Sequence, residues 1–264
     1  MAGAAVRPGG DWDESSVWSG RGITREVFFF PYEDERLYGS LYAADPVRRP
    51  YGLVICSSWG IDADRAQRII PSLALGMARS GGVGVLFHYP GYGDSSGASA
   101  SGTIATFAEA ACAATREGAM RYPNMTWIMA GVFLGAAVAA VASTSAGIRH
   151  LLLLQPALDP ESYVQKVIRK ARKRPLGAGD TEGTAFGYPV PPGLLDPRAA
   201  SEVDACLRGF DGAGIVIRYS EPAPADASRP GFDVVSVPGE WRIGRRGSSE
   251  LVAPALEWLD RVTR

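Results

Sequence analysis

The chain has 264 residues, 46% of them hydrophobic, which is enough apolar material for the core of one α/β domain. Its 27 Lys and Arg residues and 28 Asp and Glu residues give a formal net charge of −1, so charge provides no argument for binding nucleic acid or an anionic membrane. No apolar run approaches the roughly 18–20 residues that a membrane span requires.

The first residues contain early acidic side chains and no apolar signal-peptide core, so we expect a cytoplasmic protein with a flexible N-terminal tail over 1–22. The remaining residues, 23–264, form one predicted domain. Three widely spaced cysteines, Cys56, Cys112 and Cys206, are typical of reduced thiols rather than of a disulfide or metal framework. We therefore expect no metal and no cofactor.

Strand and helix patterns alternate along most of the chain, which predicts a mostly parallel sheet covered by helices on both faces. In chain order, the predicted strands are 27–30, 36–43, 51–57, 83–88, 126–131, 150–156, 212–220 and 232–239. The predicted helices are 64–80, 101–121, 134–143, 162–174 and 248–262.

An insertion over about 159–210 interrupts this alternation and predicts a small cap above the carboxyl edge of the sheet. Its sharpest feature is the basic helix SYVQKVIRKARKR at 162–174. One interpretation is a solvated helix face. The other is a surface that recruits an acidic carrier protein or an anionic substrate.

The stretch WIMAGVFLG has the shape of a nucleophile elbow, in which a strand turns sharply into a helix between two glycines. The glycines are Gly131 and Gly135, and Phe133 stands where the serine of G-x-S-x-G is expected. The glycines themselves have two interpretations, as parts of a functional site or as requirements of the turn.

Three loops, CSSWGIDADRAQR, HYPGYGDSSG and GVFLG, occur in the order and spacing of the α/β-hydrolase fold, which the chain resembles over about 23–262. More narrowly, SSWG, PGYGDSSG, LLLLQP and VPGEW are similar to the small hydrolase-like proteins of exosortase clusters, a branch that tends to lack the catalytic serine. The fold hosts many chemistries, so the resemblance alone assigns no reaction.

The resemblance implies a nucleophile, a histidine base and an acid at three places in the chain. Phe133 has no nucleophilic atom, and the loop VPGEWRIGRRG after the last strand contains no histidine. Glu221 or Asp226 could occupy the place of the acid. With two of three members absent, ordinary serine hydrolysis is excluded.

The oxyanion hole uses backbone N–H groups and so does not depend on side chains. By the resemblance, its donors are the N–H groups of Leu134 and Trp59. Such donors stabilise negative charge on a carbonyl oxygen by roughly 3–4 kcal/mol each.

A set of aromatic residues is expected around the elbow, and it suits a flat apolar ligand. Phe133 either fills a pocket that no longer binds a ligand or forms the floor of a substrate pocket. Ser57 and Ser58 lie in the oxyanion loop, where either is a candidate for a displaced nucleophile. The predicted substrate-binding residues are Ser57, Ser58, Trp59, His88, Tyr89, Phe133 and Trp241.

His88 and Glu240 are the candidate proton carriers. His88 is either a satisfied core histidine or an acid–base group, and Glu240 is either a surface charge or a base with a raised pKa. Asp94 is expected to brace its own turn, whereas Asp62 and Asp64 are expected to cap the next helix.

Three functions remain open. The first is a non-hydrolytic enzyme that closes a C–C bond, by conjugate addition or cyclisation, on an apolar polyketide-type intermediate of natural-product biosynthesis. The second is a non-catalytic scaffold, and the third is a hydrolase or thioesterase with an atypical nucleophile. The expected partners are an apolar small molecule, with an acidic carrier protein at the basic helix and a homodimer as further candidates.

Overall fold

The computed structural model describes residues 16–173, 183–219, 231–238 and 247–264. Its strands are β1 (Ser16–Gly20), β2 (Ile23–Tyr32), β3 (Glu35–Ala44), β4 (Tyr51–Cys56), β5 (Val83–Phe87), β6 (Thr126–Val132), β7 (His150–Leu154), β8 (Thr184–Ala185), β9 (Tyr188–Pro189), β10 (Ala213–Tyr219) and β11 (Phe232–Val237). Its helices are α1 (Ile61–Ala66), α2 (Ile69–Arg79), α3 (Ile104–Arg121), α4 (Leu134–Ser145), α5 (Pro160–Lys173), α6 (Arg198–Arg208) and α7 (Gly247–Val262).

Nine of these strands form one sheet in the order β1-β2-β3-β5-β4-β6-β7-β10-β11. The first three pairings are antiparallel, and the five pairings from β5 to β11 are parallel. The apolar runs of β4, β6 and β7 are almost entirely buried, as strands covered on both faces should be. The predicted α/β class with a mostly parallel sheet is therefore confirmed.

The predicted tail over 1–22 extends too far along the chain, because Ser16–Gly20 forms a strand that pairs antiparallel with β2. This pairing occupies the outer backbone groups of β2, which would otherwise present an open sheet edge. Residues 1–15 lie outside the described residues.

Two helical layers enclose the sheet and separate its core into two clusters. One cluster involves α3, α4 and α6, and the other involves α2 and α7. Helix α6, near the end of the predicted 159–210 insertion, packs against α4. The small cap above the carboxyl edge stays a prediction.

The predicted single helix over 64–80 is two helices, α1 and α2, that separate at Gln67 and Arg68. Pro71 explains the break. In a continuous helix it would lack the N–H needed to bond Gln67 and its ring would clash with that residue's carbonyl, whereas the first turn of α2 tolerates it.

Among the described residues, no helix combines the length and the apolar character needed to cross a lipid bilayer.

Candidate functional site

The turn between β6 and α4 has the backbone of a nucleophile elbow. Phe133 precedes α4 with φ 52° and ψ −118°, a combination that non-glycine residues rarely adopt. Its N–H donates to the Leu154 carbonyl at 3.0 Å, and its carbonyl accepts from the N–H groups of Ala136 and Ala157 at 3.0 Å each. Neighbouring backbone therefore holds the strained turn in place although the side chain is not a nucleophile.

The two elbow glycines are required by packing. A Cβ at Gly131 would lie 2.2 Å from the Gly135 carbonyl oxygen, and a Cβ at Gly135 would lie 2.2 Å from the Cys56 carbonyl oxygen. Both neighbours are backbone atoms, which cannot rotate away. Of the two interpretations of these glycines, the structure supports the one in which the turn itself requires glycine at both positions.

Phe133 is 6% exposed and belongs to the buried cluster between the sheet and helices α2 and α7. It is not among the described residues that line the cleft beside the elbow. Its predicted place in the wall of a substrate pocket stays a prediction.

A cleft of about 540 Å³ lies beside the elbow, on the sheet face formed by β2, β3 and β5. That volume is within the usual range for small-molecule sites. Five of the predicted site residues lie together in its wall, namely Ser57, Ser58, Trp59, His88 and Tyr89. Residues of α1 and α2 form the opposite wall, and Tyr188 of the β8–β9 hairpin contributes a further side.

His88 is held between an aromatic ring and a turn. Its ring stacks on Tyr38 with centroids 4.5 Å apart and an interplanar angle of 21°. Its Nδ1 accepts a hydrogen bond from the Asp94 N–H at 3.1 Å, so in the neutral ring Nε2 carries the proton. Burial lowers the pKa of His88, with the Asp94 carboxylate opposing this shift, so the ring is neutral at pH 7.

The turn around His88 depends on Gly93, which has φ 56°. A Cβ there would lie 2.2 Å from His88 Nδ1. Ser95 completes the turn by donating from Oγ to the His88 carbonyl at 2.8 Å. Asp94 therefore does more than the predicted bracing of its own turn, because the Asp94 N–H also determines which nitrogen of the neutral His88 ring carries the proton.

Tyr89 and Trp59 are buried and shape the loop after β4. The Tyr89 hydroxyl donates to the Ser57 carbonyl at 2.9 Å, and its ring stacks on Phe107 at 4.2 Å. Burial raises the pKa of Tyr89 well above its ordinary value, so this hydroxyl stays a donor. The N–H groups of Trp59 and Leu134 donate to no backbone group within the described part of the chain. Their role as oxyanion donors stays a prediction.

A partly buried network of hydrogen bonds joins the loop after β4 to α5. Tyr163 of α5 donates to Asp62 Oδ2 at 2.5 Å, and Arg65 donates to Asp62 Oδ1 at 2.5 Å. Ser58 Oγ lies 3.4 Å from the Tyr163 hydroxyl oxygen. Since that hydroxyl gives its proton to Asp62, Ser58 is the donor in this contact.

This hydrogen-bond network argues against Ser58 as an activated nucleophile. Burial, followed by the charge and hydrogen bond of Asp62, raises the pKa of Tyr163 far above its ordinary value. The hydroxyl beside Ser58 therefore stays protonated and is a poor base. Asp62 binds Tyr163 and Arg65 rather than capping α1, whose first position is preceded by Gly60 with no side-chain cap.

A second tyrosine anchors the cap on the same helix. The Tyr188 hydroxyl donates to Asp64 Oδ2. Burial, then the hydrogen bond and charge of Asp64, raises the pKa of Tyr188 to about 12. Sequence reasoning missed both tyrosines, although each belongs to the segment that it assigned to the cap.

The structure does not describe every predicted group. Glu240 and Trp241, together with the acid candidates Glu221 and Asp226, lie outside the described residues. His150 begins β7 and so lies at the edge of the sheet opposite the elbow.

The basic residues of α5 are solvent-exposed. They are Lys166, Arg169, Lys170, Arg172 and Lys173. Within the described part of the chain none of them forms an ion pair, and the helix buries Val164, Val167 and Ala171 on its other side. A solvated face and a docking face for an acidic carrier protein both fit this arrangement, so the carrier stays a prediction.

No family model matches the sequence, and no curated protein matches it. The chain is similar in structure to Est1E from Butyrivibrio proteoclasticus, solved with ferulic acid bound, with a TM-score of 0.65, 17% identity and coverage of 89% of this chain and 98% of that one. It is also similar to the hypothetical protein PA2218 from Pseudomonas aeruginosa, with a TM-score of 0.64, 13% identity and coverage of 99% and 100%. XC6422 from Xanthomonas campestris, described as an α/β serine hydrolase without a lid, has a TM-score of 0.59, 16% identity and coverage of 89% and 93%.

These likenesses, with the sheet order and the elbow, show that the chain has the α/β-hydrolase fold. At these identities they show the fold alone. The narrower resemblance to the exosortase-cluster proteins stays a prediction.

Proposed function

We propose that this chain is a non-hydrolytic enzyme of the α/β-hydrolase fold that binds an apolar, aromatic polyketide-type intermediate and promotes C–C bond formation, by conjugate addition or cyclisation. One observation carries the proposal. Five of the seven residues predicted to bind substrate line an aromatic-walled cleft of about 540 Å³, while a buried phenylalanine stands where the fold expects the catalytic serine.

Hydrolysis by the usual route lacks two of its groups. Phe133 cannot attack a carbonyl carbon. Of the two histidines in the sequence, His88 directly follows β5 and His150 begins β7, so neither follows β11. Loss of a member of the triad costs several orders of magnitude in rate. Catalysis by positioning and electrostatics needs neither group.

The cleft supplies what an addition to an unsaturated carbonyl requires. As the donor carbon bonds to the β-carbon of the acceptor, the C=C π bond breaks and its electron pair moves toward the carbonyl oxygen, where a fixed donor stabilises the negative charge. The proton lost by the donor carbon is returned to the α-carbon, so the product has the mass of the substrate. His88 is such a donor, because Asp94 occupies Nδ1 and leaves the Nε2 proton for a ligand. The stacked rings of Tyr38 and His88 provide a flat surface for an unsaturated or aromatic substrate.

One observation favours the atypical hydrolase as a second candidate. Ser58 lines the cleft and is connected through Tyr163 to the Asp62 carboxylate. The raised pKa of Tyr163 argues against a strong base at this position. A fluorophosphonate probe separates the two candidates, because it labels an activated serine and leaves a non-hydrolytic site unmodified.

The test of the proposed function compares two histidine variants. The protein is incubated with candidate linear polyketide-type enones, and isomeric products of unchanged mass are separated by liquid chromatography. His88→Ala should lower turnover by about 100-fold, the low end for loss of one fixed oxyanion donor, with a smaller effect on KM. His150→Ala is the matched control and should leave turnover unchanged. Equal loss in both variants would contradict a role for His88 in the cleft.

A further inference from the structure

We infer that the cleft selects an aromatic ligand that carries a carboxylate, and that the Arg25 guanidinium binds this carboxylate. The inference rests on the proposed function, in that it takes the cleft as the ligand site, and it adds the charge and orientation of the ligand.

Strand register places the polar and aromatic groups in rows on one face of the sheet. Arg25 of β2 is paired with Tyr42 of β3, so the two side chains are neighbours on the same face. Ser40 lies two residues before Tyr42 and therefore points to that face as well. Tyr38 and His88 continue the face toward the carboxyl end of β5, and all five residues line the cleft.

The Arg25 side chain is oriented by two contacts. Its Nε donates to Ser40 Oγ at 3.3 Å, and its Cζ lies 5.5 Å from the centroid of the Tyr42 ring. Ser40 is buried, with only 2% of its surface exposed. Because Nε is used by Ser40, the two terminal nitrogens of Arg25 remain as an end-on pair of donors. That pair matches the two oxygens of a carboxylate.

The balance of donors and acceptors in the cleft points the same way. Asp64 is the one carboxylate among the described lining residues, and its oxygens already accept from Gln67 and Tyr188. Arg25 has no carboxylate partner within the described part of the chain. The charged or fixed donors available to a ligand therefore include a guanidinium and the His88 Nε2–H, both of which require an acceptor from the ligand.

The arrangement also orients the ligand. In the sheet order, β3 and β5 lie between β2, which carries Arg25, and β4, which leads into Ser57 and Ser58. Three strand spacings separate the ends, a span of about 14 Å. A ligand anchored by its carboxylate at Arg25 would thus present its far end to the loop after β4, with His88 along its length.

The test uses a matched pair of probes, 2-naphthoate and its methyl ester, with binding to the full chain measured by isothermal titration calorimetry at pH 7. The acid is ionised at this pH, whereas the ester has the same ring system without the charge. The unmodified protein should bind the acid about 10-fold more tightly than the ester, and added salt should reduce this difference.

Four variants assign the difference in affinity to one side chain. Arg25→Gln should remove the preference for the acid and leave ester binding unchanged, while Arg25→Lys should keep only part of the preference because it retains the charge without the paired donors. Arg48→Gln, a change at an exposed arginine outside the cleft, is the control and should alter neither affinity. Tyr188→Ala should weaken both probes.

The outcomes separate the two proposals. Equal binding of acid and ester, both weakened by Tyr188→Ala, would overturn the carboxylate inference and leave the cleft as a ligand site. Equal losses in Arg25→Gln and Arg48→Gln would also overturn it. Binding of neither probe, or binding that Tyr188→Ala leaves unchanged, would overturn the cleft as the site and the inference with it.

Discussion

The elbow lies at the carboxyl end of β6, whereas the cleft lies on the sheet face formed by β2, β3 and β5, and the two regions differ in what holds them together. At the elbow, Gly131 and Gly135 meet backbone atoms, and Phe133 is anchored by its own backbone groups. In the cleft, the contacts are between side chains, such as Tyr38 on His88 and Arg25 on Ser40. A turn that packing requires does not depend on which side chain stands at residue 133, whereas side-chain contacts in a cleft of ligand size suggest that the cleft binds a ligand.

The largest expected effect tests the packing half of this comparison. Gly135→Ala should destabilise the fold by about 5 kcal/mol or prevent folding, because a Cβ would lie 2.2 and 2.4 Å from the Cys56 and Ser57 carbonyl oxygens. The steric cost opposes the helix propensity of alanine, which alone would favour the change by about 1 kcal/mol. Urea unfolding followed by circular dichroism measures the loss.

Gly147→Ala is the control. Gly147 has φ 64° and nothing within 4 Å of a built Cβ, so only backbone strain of about 1–2 kcal/mol is expected. If Gly135→Ala were no more costly than this control, the elbow glycines would not be needed for packing and a functional reason for them would have to be sought.

Much of the fold was predictable from local sequence. The apolar runs of β4, β6 and β7 and the two elbow glycines are short-range patterns, and each appears in the structure where it was predicted. The break between α1 and α2 was also readable in principle, because Pro71 marks it.

The candidate site was predictable only in part. Ser57, Ser58, Trp59, His88 and Tyr89 adjoin recognisable loops, and they do line one cleft. Tyr163 contacts Ser58 across 105 residues of chain, and Tyr188 contacts Asp64 across 124, so no local pattern could reveal either pair.

A smaller effect, confined to one side chain, tests whether the elbow has any chemical role. Phe133→Ser should cost about 3–5 kcal/mol, because the site loses a buried aromatic ring. It should create no esterase, since no histidine follows β11. It should also leave naphthoate binding unchanged, since the residue lies outside the cleft.

Phe133→Ala removes the same ring without a hydroxyl and is the matched control for that experiment. Hydrolysis of p-nitrophenyl acetate and labelling by a fluorophosphonate are measured at a temperature at which both variants are folded. Enzyme-like turnover in Phe133→Ser alone would reveal a base near the elbow and would erase the chemical difference between the two regions.

The smallest expected effect is a pH dependence that belongs to the cleft and not to the elbow, whose residues 131–135 carry no titratable side chain. Burial lowers the pKa of His88 in the folded protein, and it lowers that of His150 as well. Between these folded values and the unfolded value of about 6.5, the unfolded chain binds more protons, so the free energy of unfolding rises with pH. The contribution of His88 to the free energy of unfolding is complete above pH 7 and is lost as the pH falls through 6.5 toward the folded pKa.

Urea unfolding at pH 7 and pH 5 measures this contribution. The loss of stability on acidification should be smaller in His88→Asn than in the unmodified protein, and the Asn side-chain oxygen can still accept from the Asp94 N–H. His150→Asn should remove its own share independently, because the two residues lie at opposite edges of the sheet. A loss in His88→Asn as large as in the unmodified protein would mean that His88 is as easily protonated folded as unfolded, and the neutral donor in the cleft would have to be abandoned.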